Sequence, residues 1–188
     1  MRTSSKIQNQ YIAFLRGINV GGNSLVKMST IKDLLSKAGY KNVQTILASG
    51  NICLETKTEH GVTLEHDLEN LFERLLGKKI AVIVRSKQEI SELISKNPFP
   101  DLNLNKNQRQ LISFLKSPVA SSFTIAKEWQ NQDIHIELLT TKDIAINYLL
   151  SAKQNTTDIM KSVEKAISKN ITSRNWNTVI KVHNLLNK

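Results

Sequence analysis

Apolar segments of two kinds alternate along the first 100 residues of the chain. Short apolar runs bounded by turn residues are typical of buried strands, and apolar residues three and four positions apart are typical of helices. The predicted strands lie at residues 11–15, 42–48, 52–55 and 80–84. The predicted helices lie between a cap at Ser29 and a stop at Gly39, and at residues 64–76 before Gly77. The resulting order, β-α-β-β-α-β, is that of the ferredoxin-like arrangement.

A third helix is predicted directly after the fourth strand, because Ser86 and Glu89 have the spacing of a capping box. The segment Asn97-Pro98-Phe99-Pro100 ends that helix, since proline disfavours helical geometry in the residue before it. The polar stretch 101–108 that follows is the predicted linker.

The second half of the chain repeats this pattern less regularly. Its predicted strands lie at residues 111–115, 133–138 and 144–149. Its predicted helices lie at residues 119–127 and 159–167 and after a cap at Thr172 or Ser173, whereas Ile171 is too isolated to predict a strand. The sequence thus predicts an α+β fold of two tandem ferredoxin-like (βαββαβ) subdomains with antiparallel sheets, at residues 1–100 and 109–188. No convincing sequence repeat relates the two halves, so the likeness is one of pattern.

Composition places the chain among globular proteins and excludes several kinds of site. Its 188 residues are 40% hydrophobic and 22% charged, which is unlike a disordered chain. The single cysteine, Cys53, excludes an internal disulfide and a cysteine-based zinc or iron–sulfur site, and a buried thiol is favoured over a nucleophile. No signal peptide or membrane-spanning run is visible, so we expect a cytoplasmic protein with no membrane partner.

The titratable residues form no convincing metal or catalytic cluster. The four histidines lack the spacing of metal ligands. The acidic residues of the second helix are interpreted as a solvated face; they are Glu65, Asp67, Glu69 and Glu73. We therefore predict no metal and no cofactor, and no general base or nucleophile stands out.

The net charge of +10 is only a weak indication of a polyanionic partner. Lysine supplies 20 of the 26 basic residues and often serves solubility. Arginine is more typical of phosphate and base recognition, because its planar guanidinium can donate two parallel hydrogen bonds. Part of the excess lies near the C-terminus, on Lys153, Lys161, Lys165, Lys169, Arg174, Lys181 and Lys188. A solvated helical face is favoured there over an anion-binding face.

Two motifs lie beside strand ends in the first half. The loop 16–24 is rich in glycine and can expose N–H groups to an anion, but Asn23 stands where a phosphate-binding P-loop needs lysine, which disfavours a nucleoside triphosphatase. A tight loop and a ligand-binding loop both remain open. The run Ser49-Gly50-Asn51 is interpreted as a hairpin turn with Gly50 or Asn51 in the left-handed region, or as polar groups beside the first loop. The strand after it lacks the aromatic residues of an RNA-recognition sheet.

A third motif, Arg174-Asn175, lies at the start of the last predicted helix, next to the cap predicted at Thr172 or Ser173. A helix start beside arginine and asparagine is a good seat for an anion. The alternative is an ion pair from Arg174 to the neighbouring domain, because a helix N-terminus repels a cation that has no acidic partner. Trp176 is expected to belong to the core.

Five motifs then occur in order: Arg16-Gly17-Ile18-Asn19-Val20-Gly21-Gly22, Met28, Ser49-Gly50-Asn51, Asn97-Pro98-Phe99-Pro100 and Arg174-Asn175-Trp176. Together they resemble the signature of a bacterial family known as domain of unknown function 1697, over essentially the whole chain. The resemblance implies two ferredoxin-like subdomains in tandem and no established activity. Members often carry lysine where this chain has Asn23-Ser24-Leu25, so a phosphate ligand that depends on that lysine is expected to bind here more weakly or differently.

These motifs lead to one predicted function. We predict that the chain binds an anionic or phosphorylated small molecule in a cleft between the subdomains. The predicted ligand-binding residues are Arg16, Gly17, Asn19, Gly21, Gly22, Ser49, Gly50, Asn51, Arg174 and Asn175. The alternative is a nucleic-acid-binding module that uses the lysine-rich C-terminal face, and catalysis is left open.

Overall fold

A computed structural model describes residues 8–19, 25–100, 106–130, 133–150 and 155–188. The chain divides into two compact units, one formed by Met1–Ser91 with Lys181–Lys188 and the other by Glu92–Ile180. The predicted subdomain boundaries stay predictions, and most of the predicted linker lies outside the described residues. No described helix is both long enough and apolar enough to cross a membrane.

The first unit is built around four strands and two helices, and a third helix follows its last strand. In chain order these are β1 (Asn9–Leu15), α1 (Met28–Lys37), β2 (Lys41–Ile46), β3 (Asn51–Thr56), α2 (Gly61–Leu76), β4 (Val82–Ser86) and α3 (Lys87–Ser95). The strands form an antiparallel sheet in the order β2-β3-β1-β4, so β2 and β4 are its edges. The elements predicted for this half are all present, with ends shifted by a few residues.

The second unit has a sheet of the same order. Its elements are β5 (Gln108–Leu115), β6 (Ile134–Leu138), β7 (Asp143–Leu149), α4 (Thr156–Ala166), β8 (Ile171–Asn175) and the first half of α5 (Trp176–Leu186). The second half of α5 belongs to the first unit. The antiparallel order is β6-β7-β5-β8. The described residues thus form a mixed α/β structure with two four-stranded antiparallel sheets and five α-helices.

The helix predicted at residues 119–127 is wrong. Residues 119–126 contain no helix, and only a single 3-10 turn, Lys127–Trp129, follows them. The N–H of Val119 donates to the Thr141 carbonyl at 2.8 Å, and the N–H of Phe123 donates to the Ala120 carbonyl at 2.9 Å, so the segment forms a turn that is bonded to a distant loop and not a helix. Serines and β-branched residues dominate the segment, and both lower its helix propensity.

The caps predicted for two helices are also wrong. Thr172 and Ser173 lie inside β8, and α5 begins at Trp176. Ile171 begins β8 because it pairs with Leu115 of β5, a partner that no local pattern reveals. In the first unit α1 begins at Met28, so its N-cap is Lys27 and not Ser29.

The two sheets share one register, although the sequence indicated no repeat beyond the pattern. Ile12 pairs with Arg85 in the first unit, and Ile112 pairs with Arg174 in the second. The last residue of the first strand makes the same hydrogen bond in both units. The N–H of Leu15 donates to the Gly50 carbonyl just before β3, and the N–H of Leu115 donates to the Lys142 carbonyl just before β7, each at 2.8 Å. The runs 11–16 and 111–116 correspond at these positions, with isoleucine, phenylalanine and leucine in the same places.

Both faces of the two central strands are buried. The cores that pack under the helices include Tyr11, Ala13 and Leu15 of β1 and Leu111 and Leu115 of β5, whereas even-numbered residues of both strands point to the opposite face. On that opposite face Ile12, Phe14, Ile112 and Phe114 have no exposed surface. In the described part of the chain these two strands therefore offer no exposed aromatic ring on which a base could stack.

The acidic face of α2 is not simply solvated, which corrects the prediction for Glu65 and Glu69. The side chain of Glu65 is buried and accepts the N–H of Val84 at 2.8 Å, and Glu69 accepts the N–H of Val82 at 2.8 Å. Positions four apart on a helix rise by about 6.0 Å and positions two apart on a strand by about 6.8 Å, so the two spacings match closely. The carboxylates thereby occupy donors that the edge strand β4 would otherwise leave unpaired.

Candidate functional site

A cavity opens where β8 ends and α5 begins, within the second unit. Its volume is about 300 Å³. Its described lining residues are mostly polar, and they are Gln108, Arg109, Gln110, Asn175, Trp176, Asn177 and Thr178. We call it the α5 cavity. Its lining includes Asn175, one of the predicted ligand-binding residues, and the first three residues of α5, whose N–H groups lack acceptors within the helix.

Arg109 is the one charged residue among the described lining residues. Its Nη1 donates to the carbonyl oxygens of Lys106 and Gln108, at 2.8 and 2.9 Å. These two bonds hold the side chain near the start of β5 and use one of its three nitrogens. Among the described residues Nε and Nη2 form no hydrogen bond, and both are donors of the kind that an anion accepts.

Arg174, predicted to neutralise a ligand, lies beside the cavity in sequence but does not line it. Its side chain is only 8% exposed. Nη1 donates to Thr172 Oγ1 and to the Ser173 carbonyl, both at 2.8 Å. Burial lowers the pKa of Arg174 to about 10, which still leaves the guanidinium charged at neutral pH. Both hydrogen bonds lie within β8, so Arg174 stabilises the end of the strand that carries Asn175.

Two of the five sequence motifs, those that contain Phe99 and Trp176, are in contact beside this cavity. The ring of Phe99 contacts that of Trp176 edge to face, with centroids 5.6 Å apart. Both side chains are buried, at 3% and 4% exposed, as expected for Trp176. An edge-to-face contact of this kind positions the first residue of α5 and therefore the wall of the α5 cavity.

The first glycine-rich loop and the Ser49–Asn51 turn are adjacent in the first unit. Asn19 joins them: its Oδ1 accepts the Val26 N–H at 2.9 Å, and its Nδ2 donates to the Ala48 carbonyl at 2.8 Å. Arg16, next to this loop, is half-buried, and Gly17 has φ +66°. Gly21 and Gly22 lie outside the described residues. The amide of Asn19 therefore holds two backbone segments together.

Gly50 and Asn51 are both buried at this turn. Gly50 has φ +78°, as predicted for a left-handed turn residue, and a Cβ there would lie 2.7 Å from the Cβ of Leu15. Asn51 Nδ2 donates to the Ile46 carbonyl at 2.7 Å and to Ser49 Oγ at 3.1 Å. These contacts give both residues a structural role, and their predicted role toward a ligand stays a prediction.

A second cavity, of about 310 Å³, lies at the other end of the first sheet. Its lining includes Tyr40, Lys41, Glu55 and Lys57. Hydrogen bonds from Gln10 and Asn42 lower the pKa of Glu55, and both carboxylate oxygens are engaged by them, at 2.9 and 2.8 Å. The described lining of this cavity thus combines two lysines with one carboxylate that is already hydrogen-bonded, and it includes no helix N-terminus.

The sequence analysis names Asn175, which lines this cavity, but does not name Arg109, which lines it too. The available signal was its charge, since arginine occurs only six times in the chain. It was overlooked because the strand was predicted to begin at residue 111, after the polar run 108–110. Among the described residues no three of histidine, cysteine, aspartate and glutamate come together to hold a metal ion.

Comparison with known proteins supports the fold and the family. The conserved bacterial protein SP0830 from Streptococcus pneumoniae has a similar structure, with a TM-score of 0.74 and 22% sequence identity over 97% of this chain and all of that chain. At that identity the likeness concerns the fold alone. No curated protein matches the sequence. The model of the family described as "Protein of unknown function (DUF1697)" matches residues 8–139, which is more than half of the chain. The chain therefore belongs to this family.

Proposed function

We propose that this protein binds a small anionic molecule, carboxylated or phosphorylated, and that the α5 cavity is the seat of its anionic group. The observation that carries the proposal is the α5 cavity itself, where Arg109 and the N-terminus of a helix line the same space. The guanidinium supplies a full positive charge, and the helix end supplies about half a charge more. The side chains of Gln108, Asn175 and Asn177 can both donate and accept, so they suit the uncharged part of a ligand.

We also propose that the chain folds as two ferredoxin-like subdomains in tandem and that it is located in the cytoplasm of a bacterium. Both sheets have the strand order of the ferredoxin-like arrangement, which supports two such subdomains in tandem even though a 3-10 turn replaces one helix of the second. Burial raises the pKa of Cys53 to about 12, so its thiol stays protonated and inert. A single buried thiol fits a reducing compartment, and the structural likeness is to a bacterial protein, so we propose a bacterial cytoplasmic location.

Replacing Arg109 with glutamine is expected to weaken ligand binding about tenfold or more, because a charge-assisted hydrogen bond to an anion is worth about 1.5–3 kcal/mol. A thermal-shift screen of the full chain against phosphorylated and carboxylated metabolites identifies a ligand, and calorimetric titration then compares the variants. Lys106→Gln is the matched control, since it removes the same charge from an exposed neighbour outside the cavity lining. Equal affinity of Arg109→Gln and the unaltered protein would contradict the proposal.

Nucleic acid remains the second candidate, favoured by the exposed lysines of α4. Lys161 and Lys165 lie four residues apart on that helix and are both exposed. If they contact phosphates, the logarithm of affinity for a single-stranded oligonucleotide falls with the logarithm of salt concentration by about 0.7 per phosphate. The double substitution of Lys161 and Lys165 by glutamine is then expected to reduce this slope by about 1.4, measured by fluorescence anisotropy. An unchanged slope, or no binding, removes this candidate.

A further inference from the structure

The α5 cavity has a counterpart in the first unit, because the two sheets share one register. Tyr11 pairs with Ser86 at the end of β4, and Leu111 pairs with Asn175 at the end of β8. A helix begins at the next residue in both units, at Lys87 and at Trp176. Position 89 of the first unit therefore corresponds to position 178 of the second.

In the first unit a carboxylate already occupies this place. Glu89 Oε2 accepts the N–H of Ser86 at 2.7 Å and its hydroxyl at 2.9 Å, while Ser86 Oγ accepts the N–H of Glu89 at 3.2 Å. This is the predicted capping box, and it supplies α3 with its own anion. The first unit thus shows which group the start of this helix holds.

In the second unit no carboxylate stands at the position of Glu89, and the α5 cavity lies there. Thr178 stands at the position of Glu89, and Asn175 stands at that of Ser86, and both line the α5 cavity. At the start of the first strand Arg109 stands where the first unit has Asn9, because the paired registers differ by 100 residues in number. The positive charge of Lys87 in the first unit is also lost, because Trp176 stands at its position. One negative charge is therefore lost while the number of positive charges is unchanged, so the same place becomes more positive by one charge and has room for a ligand.

We propose that the ligand of the α5 cavity is a small carboxylate whose carboxyl group takes the position that Glu89 fills in the first unit. This inference rests on the proposed function and narrows its ligand class. A carboxylate carries one negative charge, which the single guanidinium of Arg109 balances and can meet with two parallel hydrogen bonds. A phosphoryl group carries close to two negative charges, and the described lining offers no second cation for it. A cavity of about 300 Å³ lies at the small end of ligand pockets, so the rest of the molecule is short.

The first experiment titrates the full chain, labelled with ¹⁵N, with propionate, a small monocarboxylate, and separately with inorganic phosphate. We expect propionate to shift the amide signals of Trp176, Asn177 and Thr178 and the Nε–H signal of Arg109 in a saturable way. Phosphate is expected to need at least ten times the concentration for the same shifts. Equal or tighter binding of phosphate overturns the carboxylate inference and leaves the proposed function standing. If neither anion moves these signals, both the inference and the cavity as an anion seat are wrong.

The second experiment restores the missing carboxylate with Thr178→Glu. The new side chain is expected to cap α5 as Glu89 caps α3, to raise the melting temperature and to weaken propionate binding at least tenfold. Thr178→Gln fills the same volume without the charge, and we expect it to weaken propionate binding less. Unchanged propionate affinity in Thr178→Glu would overturn the inference. If this variant does not fold, the titration of the unaltered chain decides alone.

Discussion

Gly50→Ala is expected to lower the free energy of unfolding by about 3 kcal/mol or more, because two costs add at this position. The residue has φ +78°, a conformation that costs an L-residue roughly 1–2 kcal/mol. The new Cβ would also lie 2.7 Å from Leu15 Cβ and 3.0 Å from Ile18 Cγ2. Leu15 is held by its own bond to the Gly50 carbonyl at 2.8 Å, so it has little freedom to move away. Overpacking of this kind costs about 1–3 kcal/mol.

Gly17→Ala separates these two costs. Gly17 has φ +66°, but a Cβ there would meet no atom within 4 Å, so only the conformational cost applies. We expect it to lose roughly 1 kcal/mol in urea unfolding. If Gly50→Ala loses no more than Gly17→Ala, the close approach of β1 to the turn does not limit this position.

The turn illustrates what local pattern can predict. A Ser-Gly-Asn run between two strands indicates a positive φ, and Gly50 has one. The close contact with Leu15 depends on the pairing of β1 with β3, which joins residues 37–47 positions apart. Long-range pairing also explains why the sequence analysis predicted no strand at Ile171, since this residue belongs to β8 through its pairing with Leu115. Local spacing identifies most elements, whereas long-range pairing decides their ends and their close contacts.

The candidate site was predicted in part for a similar reason. Asn175 is among the predicted residues because the sequence indicates a helix start close to it, although the structure begins that helix at Trp176 and not after Thr172 or Ser173. Arg109 was missed because strand ends are often polar and resemble a linker, so nothing local relates it to Asn175. The register of β5 against β8, which pairs Leu111 with Asn175, brings the two residues to one cavity.

The carboxylates of α2 show how an exposed-looking pattern can be misread. Glu65 and Glu69 lie beside the apolar stripe of the helix, and charged residues at such positions are usually solvated. Here the edge of the sheet lies close enough for both to accept backbone N–H groups, from Val84 and Val82. Only the position of α2 against β4 distinguishes this arrangement from a solvated face.

Glu65→Ala is expected to lower the free energy of unfolding by about 2 kcal/mol, because it leaves the Val84 N–H without its acceptor. Glu65 is 3% exposed and Val84 is 4% exposed, so water cannot readily replace the carboxylate. A buried donor that loses its partner costs about 1–3 kcal/mol, and more when the acceptor was charged. Urea unfolding measures the loss, and hydrogen exchange at the Val84 amide is expected to accelerate.

Glu73→Ala on the same helix is the matched control for this prediction. Glu73 forms an ion pair with Lys79 at 3.4 Å, but the two side chains are 51% and 84% exposed, and such a pair contributes roughly 0–1 kcal/mol. Glu65→Gln keeps a carbonyl acceptor for Val84 and is expected to recover part of the loss. An equal effect of Glu65→Ala and Glu73→Ala would show that the carboxylate does not stabilise the edge strand. The predicted difference in the free energy of unfolding follows from burial. Glu65 and Glu73 lie on the same helix, but the oxygens of Glu65 are buried against β4 whereas the side chain of Glu73 is half exposed to solvent.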